Sequence, residues 1–139
     1  MAKWSARIRA VVKDCPLCER LCVGASTCEN SLAVAFDDAY PISPGHTLIV
    51  SRRHVDGFFD LTDEEQHALW SLVPRVKEVL TNTHRPAAYN VGLNVGKAAG
   101  QTVPHVHVHV IPRYPGDVPD PRGGIRWVLP ERAAYWSDR

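Results

Sequence analysis

Apolar and polar positions alternate most clearly in "HVHVHV", residues 105–110, where a strand would place Val106, Val108 and Val110 on one face and His105, His107 and His109 on the other. The valines form the core side. Upstream, "SLAVAFDDAYPISPGHTLIVSRRHV" predicts two strands, Leu32 to Phe36 and Thr47 to Ser51, with Pro41, Pro44 and Gly45 marking the turn between them. That loop carries Asp37 and Asp38, and His46 opens the second strand. The period then becomes helical in "DLTDEEQHALWSLVPRVKEVLTNTH", where Leu61, Leu69, Leu72, Val73, Val76, Val79 and Leu80 recur on one face. Thr62 is its expected N-cap, with Glu65 completing a capping box, and Pro74 is expected to kink the helix or leave one carbonyl unpaired. "AAYNVGLNVG" predicts a third strand from about Ala88 to Asn94. The turn "GKAAG", with Gln101 and Thr102, then joins it to the histidine strand as an antiparallel neighbour. Beyond Pro112 the chain is rich in Pro and Gly and reads as irregular.

A chain of 139 residues is expected to form one domain, with a core over about 15–115 and an irregular tail over 116–139. Sixteen basic and fifteen acidic residues leave a formal charge of +1, which gives no footprint for long nucleic acid or an anionic membrane. A small phosphorylated ligand remains compatible, since it needs only local donors. No apolar run approaches the roughly 20 residues that span a bilayer. The start, "MAKWSARIRAVVKD", lacks the apolar stretch of a secretory signal, so a cytoplasmic location is expected. Cys15, Cys18, Cys22 and Cys28 cluster within fourteen residues, and "CPLC" has the spacing that brings two thiolates to one zinc ion. Redox chemistry of that pair and a four-cysteine site are the competing readings.

Three imidazoles on one strand face are costly to bury and add little to packing, so the triplet points to chemistry. All three cannot share one ion. His105 and His109 would lie roughly 13 Å apart along a strand, while zinc–nitrogen bonds measure about 2.0–2.1 Å. An end histidine on a metal and a central histidine free for chemistry is the economical division. Attack on phosphorus suits the surroundings: a neutral ring held at one nitrogen offers the other lone pair, and Asn94, Gly100, Gln101 and Thr102 supply nearby donors. Neither a G-x-S-x-G elbow nor a G-x-x-x-x-G-K-[ST] loop is present. Two other classes stay open: a metalloenzyme with His105 and His107 on a catalytic metal, and a nucleotide sensor or scaffold without turnover.

"HVHVHVI" resembles the H-φ-H-φ-H-φ-φ signature of the histidine triad (HIT) superfamily, and "AGQTVPHVHVHVIPR" is similar to its fragile-histidine-triad branch, which hydrolyses dinucleoside polyphosphates. The likeness runs from about Cys15 to Pro115. It implies an α+β fold, an antiparallel sheet of about five strands with one long helix and a short N-terminal zinc-bearing segment, usually as a homodimer. It also implies that His107 takes a nucleoside monophosphate on Nε2, with the backbone carbonyl of His105 orienting the ring. His109 and His46 would line the phosphate site, Asn94, Gly100, Gln101 and Thr102 would bind phosphate, and Asp38 the ribose. Some bacterial members pair a CxxC with two histidines, which implies a closed structural zinc site of Cys15, Cys18, His54 and His105. His67 and His84 match nothing and are expected on the surface. After Pro115 the likeness ends, leaving Arg122, Arg126 and Trp127 as candidates to touch the nucleotide or its leaving group. The expected activity is a nucleotidyl hydrolase cleaving at the α-phosphate, with a transferase or phosphorylase on the same intermediate as the alternative.

Overall fold

The computed structural model describes residues 12–136. The first eleven residues, on which the reading of the chain's start rests, lie outside the described residues. The elements in chain order are α1 (Pro16–Val23), β1 (Cys28–Glu29), β2 (Ala33–Asp37), β3 (Thr47–Ser51), α2 (Asp63–His84), β4 (Ala88–Gly92), β5 (His107–Arg113) and α3 (Pro130–Ala133), with 3-10 turns at Phe58–Asp60, Lys97–Ala99 and Gly124–Val128. The five strands form one antiparallel sheet in the order β1-β2-β3-β5-β4. The fold is α+β.

Both faces of the sheet are covered at β2 and β3, which explains why these strands are apolar at nearly every position. On one face, Ala33, Ala35, Ile49, Val108 and Val110 pack against Leu69, Leu72, Val76 and Leu80 of α2, all 0–3% exposed. Truncating one of these leucines to alanine would cost about 2–5 kcal/mol. On the other face, Val34, Phe36, Leu48 and Val50 meet Cys15, Leu17, Cys18 and Leu21 of the α1 segment. This smaller cluster stops short of β5. There the alternation reappears: Val108, Val110 and Pro112 are buried toward α2, while His107, His109, Ile111 and Arg113 are only half-buried on the face that α1 leaves open.

Helix α2 starts as the pattern predicts, with the Thr62 hydroxyl accepting from the Glu65 amide and the Glu65 carboxylate accepting from the Thr62 amide. Pro74 does not interrupt it. The helix runs through Asp63–His84, and the missing N–H costs only the bond to the Trp70 carbonyl. Gly45, in the β2–β3 loop, has φ +87°, and a Cβ there would lie 3.0 Å from Leu80 Cδ2 and 3.2 Å from the His84 ring. Only glycine lets this loop close onto α2 and carry His46 into place.

Three boundaries differ from expectation. β2 covers Ala33–Asp37 rather than Leu32 to Phe36, and β4 ends at Gly92 rather than Asn94, because its ladder stops where Gly92 faces His109. His105 is not in the histidine strand, which begins at His107. Pro104 has no N–H for a ladder, the His105 amide turns back to the Val103 carbonyl, and Val106 donates to Val55 instead. The tail is also less irregular than its composition suggests, with a 3-10 turn and the single helical turn α3. Among the described residues no helix is long and apolar enough to cross a membrane.

Candidate active site

Cys15, Cys18, His54 and His105 converge at the N-terminal end of α1, with their ligand atoms within 4.8 Å of one another. Cys15 is the N-cap of α1 and Cys18 lies one turn on, so Pro16 at the first helical position and the C-x-x-C spacing bring both sulfurs to one side. The Sγ atoms of Cys15 and Cys18 are each 3.5 Å from His105 Nδ1, and Cys18 Sγ is 3.4 Å from His54 Nδ1. A tetrahedral zinc ion with ordinary bond lengths separates sulfur from nitrogen by about 3.6 Å. Behind the cluster, His105 Nε2 donates to the Ser51 carbonyl at 2.7 Å and His54 Nε2 lies 3.2 Å from Asp56 Oδ1. Those contacts hold the protons on Nε2 and turn both Nδ1 lone pairs toward the sulfurs, the outer support a metal ligand needs. Burial also lowers the His105 pKa to about 4, so the ring is neutral as a ligand must be. The group could hold a metal, and its soft, closed donor set fits zinc. Cys22 is exposed and Cys28 half-buried on β1, both free and outside the cluster.

The second constellation is built from His107, His109, His46 and Asp38. His107 Nδ1 donates to the His105 carbonyl at 2.7 Å, which leaves Nε2 as the lone-pair nitrogen. His109, two residues on along the same face, has its ring centroid 5.1 Å from that of His107. Its tautomer follows from a relay. The Ile42 amide donates to His46 Nδ1 at 3.2 Å, so the neutral His46 ring carries its proton on Nε2, 2.9 Å from His109 Nδ1. His109 therefore accepts at Nδ1 and keeps its own proton on Nε2. Burial pushes the pKa of His109 down to about 4 and also lowers that of His46, against the pull of Asp38, so both rings are neutral near pH 7. A lone pair on His107 thus stands beside an N–H donor on His109.

Asp38 Oδ2 lies 3.4 Å from His46 Nε2, and Asp38 Oδ1 accepts from the Tyr40 amide. Asp38, His46 and His109 have donor atoms close enough to be read as a metal group. The relay argues for hydrogen bonding instead, because the only lone pair of neutral His46 is already used by the Ile42 amide.

The other expected binding residues lie in the segment between β4 and β5. Asn94 is half-buried just beyond β4, and continuing that ladder by two residues would set it opposite His107. Gly100 has φ +91° and is exposed, as is Thr102. The Gln101 side chain is engaged in its own turn, accepting from the Gly96 amide and donating to the Asp56 and Val103 carbonyls. Because Asp56 also braces His54, Gln101 links this turn to the cysteine–histidine cluster. His67 and His84 are exposed, as expected. Arg122 is paired with Asp120 and stacked on Trp136, and Arg126 donates to the Ala133 and Arg132 carbonyls. These two arginines brace the tail on itself. Ser51, Asp56 and the Ile42 amide escape the sequence reading; two act through backbone atoms, which leave no residue-type signal, and Asp56 had only its closeness to His54 to mark it.

Residues 24–116 match the family model described as HIT domain. The chain is 44% identical over 88 residues to the Schizosaccharomyces pombe protein named bis(5'-nucleosyl)-tetraphosphatase [asymmetrical], covering 63% of this chain and 48% of the relative. It is 40% identical over 95 residues to the Mycobacterium tuberculosis protein named AP-4-A phosphorylase, covering 68% of this chain and 49% of the relative. The chain thus spans about half the length of these curated relatives. A solved Zn-bound histidine triad family protein from Mycobacterium smegmatis superimposes with a TM-score of 0.67 at 29% identity, covering 77% of this chain and 84% of that one. The family match covers more than half of the chain, including the triad and His46, and the solved fold agrees with it: the chain belongs to the HIT family.

Proposed function

We propose that the protein is a nucleotidyl hydrolase that cleaves a nucleotide at its α-phosphate through a covalent intermediate on His107. The observation that carries this reading is the 2.7 Å bond from His107 Nδ1 to the His105 carbonyl, which aims the Nε2 lone pair outward beside the His109 donor. In the first step the His107 Nε2 lone pair forms an N–P bond as the bond from phosphorus to the leaving group breaks. The leaving atom accepts a hydrogen bond from His109 Nε2–H and departs as an anion or takes its proton from solvent. Water then attacks phosphorus, the N–P electron pair returns to His107 Nε2, and the proton of the attacking water passes to solvent. A nucleoside monophosphate is released. Asn94 and Thr102 are assigned to the phosphate oxygens and Asp38 to the ribose, with Gly100 and Gln101 assigned to shaping the turn beside the phosphate, since both amides and the Gln101 side chain are bonded elsewhere. The S. pombe relative's name supports water as acceptor. The M. tuberculosis relative's name supports the same intermediate with phosphate as acceptor.

Zinc at Cys15, Cys18, His54 and His105 would be structural, tying α1 to the sheet and fixing the segment that carries the His105 carbonyl. The whole chain is assigned as one domain, in the cytoplasm, working as a homodimer. The edge position of β4 supports the dimer, since among the described residues no strand pairs with its outer side. The test is a panel of dinucleoside polyphosphates and nucleoside phosphoramidates, run with and without inorganic phosphate, with products identified by mass. Nucleoside monophosphate in both conditions is expected. Nucleoside diphosphate that forms only with added phosphate would replace the hydrolase by the phosphorylase, and nucleotide binding with no product would leave a sensor.

A further inference from the structure

Beside the triad lies a cavity of about 690 Å³ that none of the assigned roles uses. It is the size of a small-molecule site. Ile42, Ile111, Ile125, Tyr114, Val118 and Trp127 are among the residues that line it. Three of these connect it to the triad. The Ile42 amide donates to His46, Ile111 follows His109 by two residues on the same strand face, and Ile125 Cδ1 is the nearest atom to a Cβ built on Gly92, the residue paired with His109. No residue adjacent to His105 or His107 borders it. The cavity therefore lies on the His109 side of the site, where the hydrogen-bond donor stands.

Its polar groups are already paired with one another. Arg113 donates to both oxygens of Asp117 and to Asn90 Oδ1, and the Ser43 hydroxyl donates to the Pro112 carbonyl. Asp120 is held by Arg122. A phosphate would find no uncommitted cation among these, whereas a flat apolar ring would find Trp127, 45% exposed, and Ile125, 58% exposed. Such exposure of large apolar side chains around a cavity calls for an occupant.

In-line displacement decides which part of a substrate that occupant is. The nucleophile and the leaving group lie on opposite sides of phosphorus. With His107 attacking and His109 donating, the leaving group departs on the side of His109, where the cavity opens. We infer that this cavity binds the nucleobase of the leaving nucleotide of a dinucleoside polyphosphate, stacked on Trp127. The tail, braced by Arg122 and Arg126, would be the wall that selects an aromatic leaving group. The inference rests on the assignment of His107 and His109 in the proposed reaction.

The test compares Trp127→Ala and Ile125→Ala with the unmodified chain on two substrates: a dinucleoside tetraphosphate, and a nucleoside phosphoramidate whose leaving group is ammonia. Thermal melts of the variants confirm that each is folded. The expected result is a loss of about tenfold or more in kcat/KM on the dinucleotide, the size of effect that removing a base-stacking ring produces, with the phosphoramidate unchanged within about twofold. Equal losses on both substrates, or none on either, would overturn the inference while leaving the reading of the triad intact. So would variants that dissociate a dimer without changing the ratio, because the cavity would then be filled by a second copy. If the unmodified chain turns over neither substrate, the reading of the triad fails and takes the inference with it.

Discussion

At position 107 the His105 carbonyl takes the Nδ1 proton in a hydrogen bond, so the ring is held in one orientation with Nε2 as its lone-pair nitrogen. That is the setting for a nucleophile. His107→Asn keeps a polar side chain but removes the attacking lone pair, and turnover should fall by about 10³-fold or more while metal content and nucleotide binding persist. Mass-identified product and equilibrium binding, measured on the same preparation, check both halves. His109 carries a prediction of its own. Its pKa is lowered in the folded chain to about 4, chiefly by burial, against an ordinary value of 6.5. Above pH 6.5 both folded and unfolded chains hold this ring neutral, and its neutrality costs nothing. As the pH falls from 6.5 toward 4 the unfolded chain takes up the proton and the folded chain does not, so stability drops across that window. His46 contributes in the same direction. Melting temperature followed from pH 7.5 to 4.5 should decline, and His109→Gln should decline less steeply; an equal slope would show that the ring is not held neutral by the fold.

Among the elements, α2 and α1 place the two constellations by different means. Glu65 caps α2 and also takes both Arg53 Nε and Arg53 Nη2 at 2.8 Å, so one carboxylate fixes the helix start and the segment leading to His54. Its pKa is held below the ordinary carboxylate value, mainly by the Arg53 hydrogen bond. Thr62→Ala should cost about 1 kcal/mol in urea unfolding and Glu65→Ala about 2 kcal/mol, since the second also strands the Arg53 contact and leaves the Thr62 amide uncapped. Helix α1 has eight residues and a small apolar face, too short to hold by propensity alone. Chelation should therefore lower the melting temperature and expose residues 15–23 to proteolysis before the rest of the sheet; unchanged cleavage would show that α1 docks without a metal. The elements also show where sequence is readable. The capping box, the valine alternation of β5 and the C-x-x-C spacing are side-chain signals: the structure forms the first, buries Val108 and Val110, and brings Cys15 and Cys18 together with His54 and His105. Helix α1 and β1 were invisible because eight and two residues leave too little periodicity to read. The departure of His105 from the strand was hidden because it depends on where backbone amides go, to Val103 and Val55, rather than on residue type.

In the whole molecule, the division of labour comes from how much of one sheet face α1 covers. Over β2 and β3 the face is sealed by the α1 cluster; over β5 it is open, and that opening carries His107, His109, Ile111 and Arg113 in sequence. The Cys15, Cys18, His54 and His105 cluster lies at the sealed end and the 690 Å³ cavity toward the open end, with His107 and His109 between them. His105 joins the two constellations, because its ring belongs to the cysteine–histidine cluster and its carbonyl holds His107. The central claim, that His107 is a metal-free nucleophile, is tested most directly by rapidly quenching the intact protein at high pH during turnover of a dinucleoside polyphosphate and weighing it. The account predicts a mass gain of one nucleoside monophosphate, labile to acid and mapping by peptide to His107. A turning-over enzyme that never gains that mass, or gains it on another residue, would contradict it.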